Sequence, residues 1–241
     1  MPPAKIDGAV GTSGDVALAS TGDTVLRGPV NAGGNVAITA RNVRMDGNPY
    51  GGYGAASIRA RGGVNISAAE AAKLEDVSGQ SGVRIHAGTL SVGTVRTDGG
   101  SVDLASTGDM RLNGDVDARV DTTLRGKNIK VVNYSPYRNY TIRAGRKVSI
   151  AAVDGAELGD VSGRSVDVTA KKLSVNDVDA TGDVTLEAGA ATIKGSVRAG
   201  GHATLNGNTL AMNGGNNEPG TQPWAPPSWG GSYNPYGSYR P

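Results

Sequence analysis

The sequence predicts an all-β fold, a parallel β-helix (β-solenoid) of about ten coils of roughly 19 residues, and three observations predict it. Pairs of aliphatic residues at i and i+2 recur at Val16/Leu18, Val36/Ile38, Val64/Ile66, Val83/Ile85, Val102/Leu104, Val148/Ile150, Val166/Val168 and Val184/Leu186. The step between pairs is 19 residues from Val64 to Val83 and from Val83 to Val102, 18 from Val148 to Val166, and 20 from Val16 to Val36. Glycine fills 38 of 241 positions, while Phe and Cys are absent. A fixed step of this size is the length of one solenoid coil, and a narrow interior of stacked Val, Ile, Leu and Ala has no room for a phenyl ring.

Taken in order, residues 1–13 read as a lead-in, residues 14–213 as the parallel β-helix, and residues 214–241 as a Pro/Trp/Tyr-rich tail. Within each step lie further short apolar stations, such as Val25/Leu26 and Val30, or Leu90/Val92 and Val95. Turn sequences separate them, among them Thr21-Gly22-Asp23, Gly33-Gly34-Asn35, Asp98-Gly99-Gly100 and Thr181-Gly182-Asp183. An i/i+2 pattern interrupted this often describes strands of three or four residues, not helices. Only Ala68 to Leu74 (AAEAAKL) has helical composition, and its counterpart Ala151 to Leu158 carries a glycine. One coil alone cannot offset the entropy of ordering its backbone, so such units are stable only when stacked about 4.8 Å apart.

A longer period overlies the first. Ser57-Ile58-Arg59-Ala60 returns as Thr141-Ile142-Arg143-Ala144, Val64-Asn65-Ile66 as Val148-Ser149-Ile150, and Asp76-Val77-Ser78-Gly79 as Asp160-Val161-Ser162-Gly163, each 84 residues on. Four coils plus an insertion make one super-repeat. The insertions carry the tyrosines: all eight belong to three seven-residue units, Gly47 to Tyr53, Tyr134 to Tyr140 and Tyr233 to Tyr239. Two units form loops near 47–56 and 133–140, and the third lies in the tail with both tryptophans. Spacing of three around a proline puts rings on one side of a polyproline-like turn, able to stack on a flat or ring-shaped partner. Packing down on the rod to cover apolar surface is the alternative. The candidate partner and self-assembly residues are Tyr50, Tyr53, Tyr134, Tyr137, Tyr140, Trp224, Trp229, Tyr233, Tyr236 and Tyr239.

Charge and composition exclude several classes. Lys+Arg and Asp+Glu number 24 and 22, a net charge of +2, and the cations are scattered singly, without the stripe a nucleic-acid binder needs. No run approaches the ~18 apolar residues of a membrane span, and Met1-Pro2-Pro3-Ala4-Lys5-Ile6-Asp7 lacks a signal-peptide pattern. Without cysteine there is no disulfide or thiolate chemistry.

Units such as Gly14-Asp15-Val16-Ala17-Leu18-Ala19-Ser20-Thr21-Gly22-Asp23 and Gly100-Ser101-Val102-Asp103-Leu104-Ala105-Ser106-Thr107-Gly108-Asp109 resemble the repeats of filamentous haemagglutinin-like exoproteins of two-partner secretion. The resemblance spans residues 14–213 and implies a right-handed parallel β-helix, an extracellular or bacterial cell-surface location, and a structural or adhesive role.

Parallel β-helices also carry polysaccharide lyases and hydrolases, which need clustered carboxylates, sometimes with calcium. The best candidates are Asp115/Asp117 and Asp177/Asp179, each pair flanking a valine that belongs to the core, so that both carboxylates point to water. His86 and His202 are isolated. No catalytic residue, cofactor or metal ligand is assigned. The expectation is therefore a non-catalytic adhesive or structural protein that binds a host or cell-surface glycan or protein, or itself. After the third tyrosine unit the chain stops where the pattern predicts another coil, and neither end of the array has a cap, so head-to-tail assembly through open ends and tail is expected.

Overall fold

The computed structural model describes residues 4–46, 56–132 and 139–212, and every regular element in them is a β-strand. The strands lie in two parallel sheets of 14 and 10 strands, stacked as a β-solenoid of about ten turns with ~19-residue spacing. Among the described residues no helix is long and apolar enough to cross a membrane.

Each turn has three straight segments. In one, the strand Gly63–Lys73 points Val64, Ile66 and Ala68 inward, bends, then points Ala72 inward, with Leu74 following; Asp76–Gly79 forms the third segment around Val77. The bend is a slip in register, seen against the next turn between Ala87 and Thr89. First and second segments build the larger sheet and third segments the smaller one. Equivalent residues stack in files: Val36 pairs with Val64, Val64 with Val83, and Val83 with Val102. The file continues to Thr122 and Val148. Thr122 is buried, and its hydroxyl donates to the Arg143 carbonyl at 3.0 Å, which removes the cost of a polar group in the aliphatic column.

The stretch with helical composition, Ala68 to Leu74, is extended. Helix propensity is a weak prior, and here each strand gains a ladder of hydrogen bonds from the turn on either side, with alanines 68 and 72 facing inward. The N-terminal boundary also differs from expectation. Residues 1–13 were expected to precede the solenoid, yet Ala4–Ile6 pairs with Thr24 to Leu26 and Val10–Thr12 with Val30 to Ala32. Ile6 and Val10 pack against the core, so the first turn begins at residue 4. At the other end the described strands close with Thr209–Met212.

Glycine acts mainly through stacking distance. Among the described glycines only Gly8 and Gly82 have positive φ, at 143° and 146°. At Gly100 and Gly200 a Cβ would run into the carbonyls of Ser81 and Thr181 in the preceding turn. The sequence places glycine at turns; the neighbouring turn is what forbids a side chain there.

Candidate functional site

The first two tyrosine units are inserted at one corner of the rod. The first insertion leaves between Val36–Met45 and Ser57–Ala60, the second between Thr122–Val131 and Thr141–Ala144. Both positions join a second segment to a third. In the third-segment file Ile58 pairs with Val77, and the sequence of partners continues through Val95 and Val116 to Ile142. The two insertions are thus four turns, or about 19 Å, apart along the rod. Met212 pairs with Ile193, and Ile193 with Val175. Four turns beyond Val131, it ends the last described second segment. The super-repeat therefore places the starts of both insertions, and the last described strand, in one file. Of the ten candidate residues, Tyr140 is described: it is half-buried and packs against the core, and its carbonyl accepts from Asp160 N at 3.3 Å. Tyr50, Tyr53, Tyr134, Tyr137, Trp224, Trp229, Tyr233, Tyr236 and Tyr239 lie outside the described residues.

The candidate acids are occupied along two corner files. Val116 and Val178 are fully buried, as their spacing predicts. Asp115 Oδ1 accepts from Thr141 N at 2.9 Å and from the Thr141 hydroxyl at 3.3 Å. Asp177 Oδ1 accepts from Ser196 N at 2.7 Å and its hydroxyl at 2.9 Å. Each carboxylate caps an amide of the next turn. At the corner between third and first segments Asp15 does the same for Asn35 N, Asn35 for Gly63 N, Asp121 for Lys147 N and Asp183 for His202 N. The sequence reading has Asp115 and Asp177 pointing to water; it misses the caps they form and the ladder at the other corner, whose signal is Asp or Asn recurring at one coil position.

The outward file of the third segments runs Asn31, Arg59, Ser78, Arg96, Asp117, Arg143, Ser162, Asp179, Arg198. Its arginines are interleaved with acids, and Arg96 Nε lies 3.9 Å from Asp117 Oδ2. One open groove of about 560 Å³ lies beside this face, lined by Asp121, Arg146, Lys147, Ser149, Arg164 and Ser165, with Thr123. Arg146 binds Asp121 at 3.1 Å and Lys147 binds Asp167 at 2.5 Å. His86 lies in the strand Gly82–Val92, facing out. His202 is almost fully exposed, its Nδ1 3.5 Å from Asp183, and the His202 amide holds the Asp183 carboxyl below its ordinary pKa. Among the described residues no three His, Asp or Glu side chains converge as a metal site would require.

The end face is the other distinctive surface. Leu210 and Met212 occupy positions that are buried in the turns below, as Ala191 and Ile193 are, yet are 40% and 50% exposed. The fold and these features define a β-solenoid repeat protein. No protein-family model matches the sequence, and no match is found among curated proteins or solved structures.

Proposed function

We propose that this chain is a non-catalytic extracellular structural and adhesive β-solenoid, assembling head-to-tail into a surface filament through its open ends and C-terminal tail. The observation that carries the reading is the end face, where Leu210 and Met212 stand exposed at core positions. Together with the outer edges of Ala203–Asn206 and Thr209–Met212, which among the described residues pair with one strand only, they form a template for a further turn. The tyrosine-bearing insertions supply the adhesive element, their points of insertion about 19 Å apart along the rod. The resemblance to filamentous haemagglutinin-like repeats supports the same reading. Negative-stain microscopy of the purified chain over a range of concentrations tests it: rods longer than one molecule are expected, and isolated rods of ~50 Å at every concentration would refute assembly.

A carbohydrate-active β-helix enzyme is the second reading, favoured by the groove with Arg164 beside Arg146 and Lys147. Against it stands the engagement of Asp115 and Asp177 in caps. Incubation with a panel of acidic polysaccharides, with and without calcium, is expected to give no turnover; robust depolymerisation, lost on changing Asp115 or Asp177 to Asn, would replace the first reading.

A further inference from the structure

The geometry of the two ends specifies how copies join, an inference that rests on the filament reading. The described solenoid begins on a second segment, Ala4–Ile6, and also ends on one, Thr209–Met212. The first-segment column runs from Val16–Ala19 to Ala203–Asn206, and the third from Val10–Thr12 to Val197–Ala199. A second copy shifted by ten turns, about 48 Å along the axis, continues the first and third columns without a gap. Val16 then lies over Ala203, in the file that joins Val184 to Ala203 and Val16 to Val36. Val10 lies over Val197, continuing Val178–Val197 and Val10–Val30.

In the second-segment column the same shift brings a conflict. Ile6 pairs with Leu26, one turn below Met45, and Met212 pairs with Ile193 in that same file. Ala4–Ile6 of the incoming copy and Thr209–Met212 of the first copy therefore claim one place. Thr209–Met212 brings Leu210 and Met212 to the two core positions and four ladder pairs; Ala4–Ile6 brings Ala4 and Ile6 and three pairs. The C-terminal strand is the better occupant on both counts.

Charge fits the same register. Along the corner file Asp183 faces His202, and the shifted copy's Asp15 is the next residue, so the exposed His202 imidazole stands between two carboxylates. Met212 itself lies in the same second-segment file as Met45 and Val131, the residues after which the two insertions begin.

We propose that copies join by stacking Val10–Thr12 and Val16–Ala19 of one on Val197–Ala199 and Ala203–Asn206 of another, Thr209–Met212 displacing the incoming Ala4–Ile6. The N-terminal strand is thus a plug that must leave before the joint closes. Loosening the plug costs the free copy and not the joined one, so it promotes assembly.

Sedimentation velocity and negative-stain microscopy of the full chain test this. Ile6→Asp, and separately deletion of residues 1–7, should lower the concentration at which rods lengthen by about tenfold. Leu210→Lys with Met212→Lys should abolish lengthening, with the isolated rod still folded by circular dichroism. Asp15→Lys should raise the threshold, and Asp15→Lys with His202→Asp should return it toward that of the unaltered chain. If the full chain lengthens but the plug variants do not lower the threshold and the charge exchange fails, this joint is wrong while the filament reading stands. If every variant stays monomeric, both fall. If deleting residues 214–241 is what releases lengthening, the tail is the occupant of the end face and the plug is refuted.

Discussion

At the scale of single residues, the corner ladders turn carboxylates into structural parts, and Asp160 is the member with least support. It stands between Thr141 and Asp177 in one file, and its Oδ1 is buried without a hydrogen-bond partner. Burial raises its pKa above 3.8 and the Asp177 charge adds to this, opposed by the Asp177 amide and the side chains of Asn176 and Asn139. The folded state thus holds this proton more tightly than the unfolded chain. The contribution to stability is present at low pH and lost as pH rises through the raised pKa. Asp160→Asn removes the charge and should raise the melting temperature by a few degrees at pH 7, with the gain vanishing below the ordinary carboxylate range. Thermal scans at the two pH values check it; a loss at pH 7 would show that the carboxylate is needed in its charged form. Asp183 behaves oppositely: its pKa is lowered by the His202 amide, so what it adds is present above the ordinary carboxylate value and disappears in acid.

At the scale of the coil, most of the architecture is legible because one physical requirement writes itself on the sequence many times. Inward Val, Ile and Leu must recur at the stacking period, and the pairs from Val16/Leu18 to Val184/Leu186 all lie in strands of the larger sheet. What escapes is whatever depends on the turn above or below. Nothing local distinguishes Asp115 as a cap from Asp117 as a surface charge, and nothing in Ala68 to Leu74 announces a strand until its neighbours are in place. The lead-in fails for the same reason: Ala4–Ile6 is too short to show a period and is a strand because Thr24 to Leu26 lies beside it. Glycine gives a direct test of this view. Gly100→Ala forces a Cβ into the Ser81 carbonyl and should cost about 1–3 kcal/mol, whereas a Cβ on Gly11 meets nothing within 4 Å and Gly11→Ala should be neutral or slightly stabilising. Denaturant titration compares them, and equal effects would mean that turn conformation, not stacking distance, selects glycine. Leu104→Ala in mid-rod should cost about 2–5 kcal/mol, and Leu210→Ala at the half-covered end under about 1 kcal/mol.

At the scale of the whole molecule, a rod with a four-turn super-repeat has two kinds of surface, a repeating flank and two ends, and they answer to different tests. The flank carries the two tyrosine insertions after Met45 and Val131, and Met212 closes the described strands at the end face. Residues 214–241 hold Trp224, Trp229 and the third tyrosine unit, and we expect them to dock on a neighbouring copy, the tryptophans acting as apolar anchors. Deleting residues 214–241 removes no described strand, so circular dichroism and the melting temperature should be unchanged. Filament growth should weaken or stop, because the joint then depends on the end strands alone. Exchanging Trp224 and Trp229 for alanine in the full chain should reproduce part of that loss, and exchanging Tyr50 and Tyr53 should leave growth intact while reducing adhesion to whatever surface the filament binds. Fibres of unaltered length from the truncated chain would place all of the contact in the strands and leave the tail to adhesion.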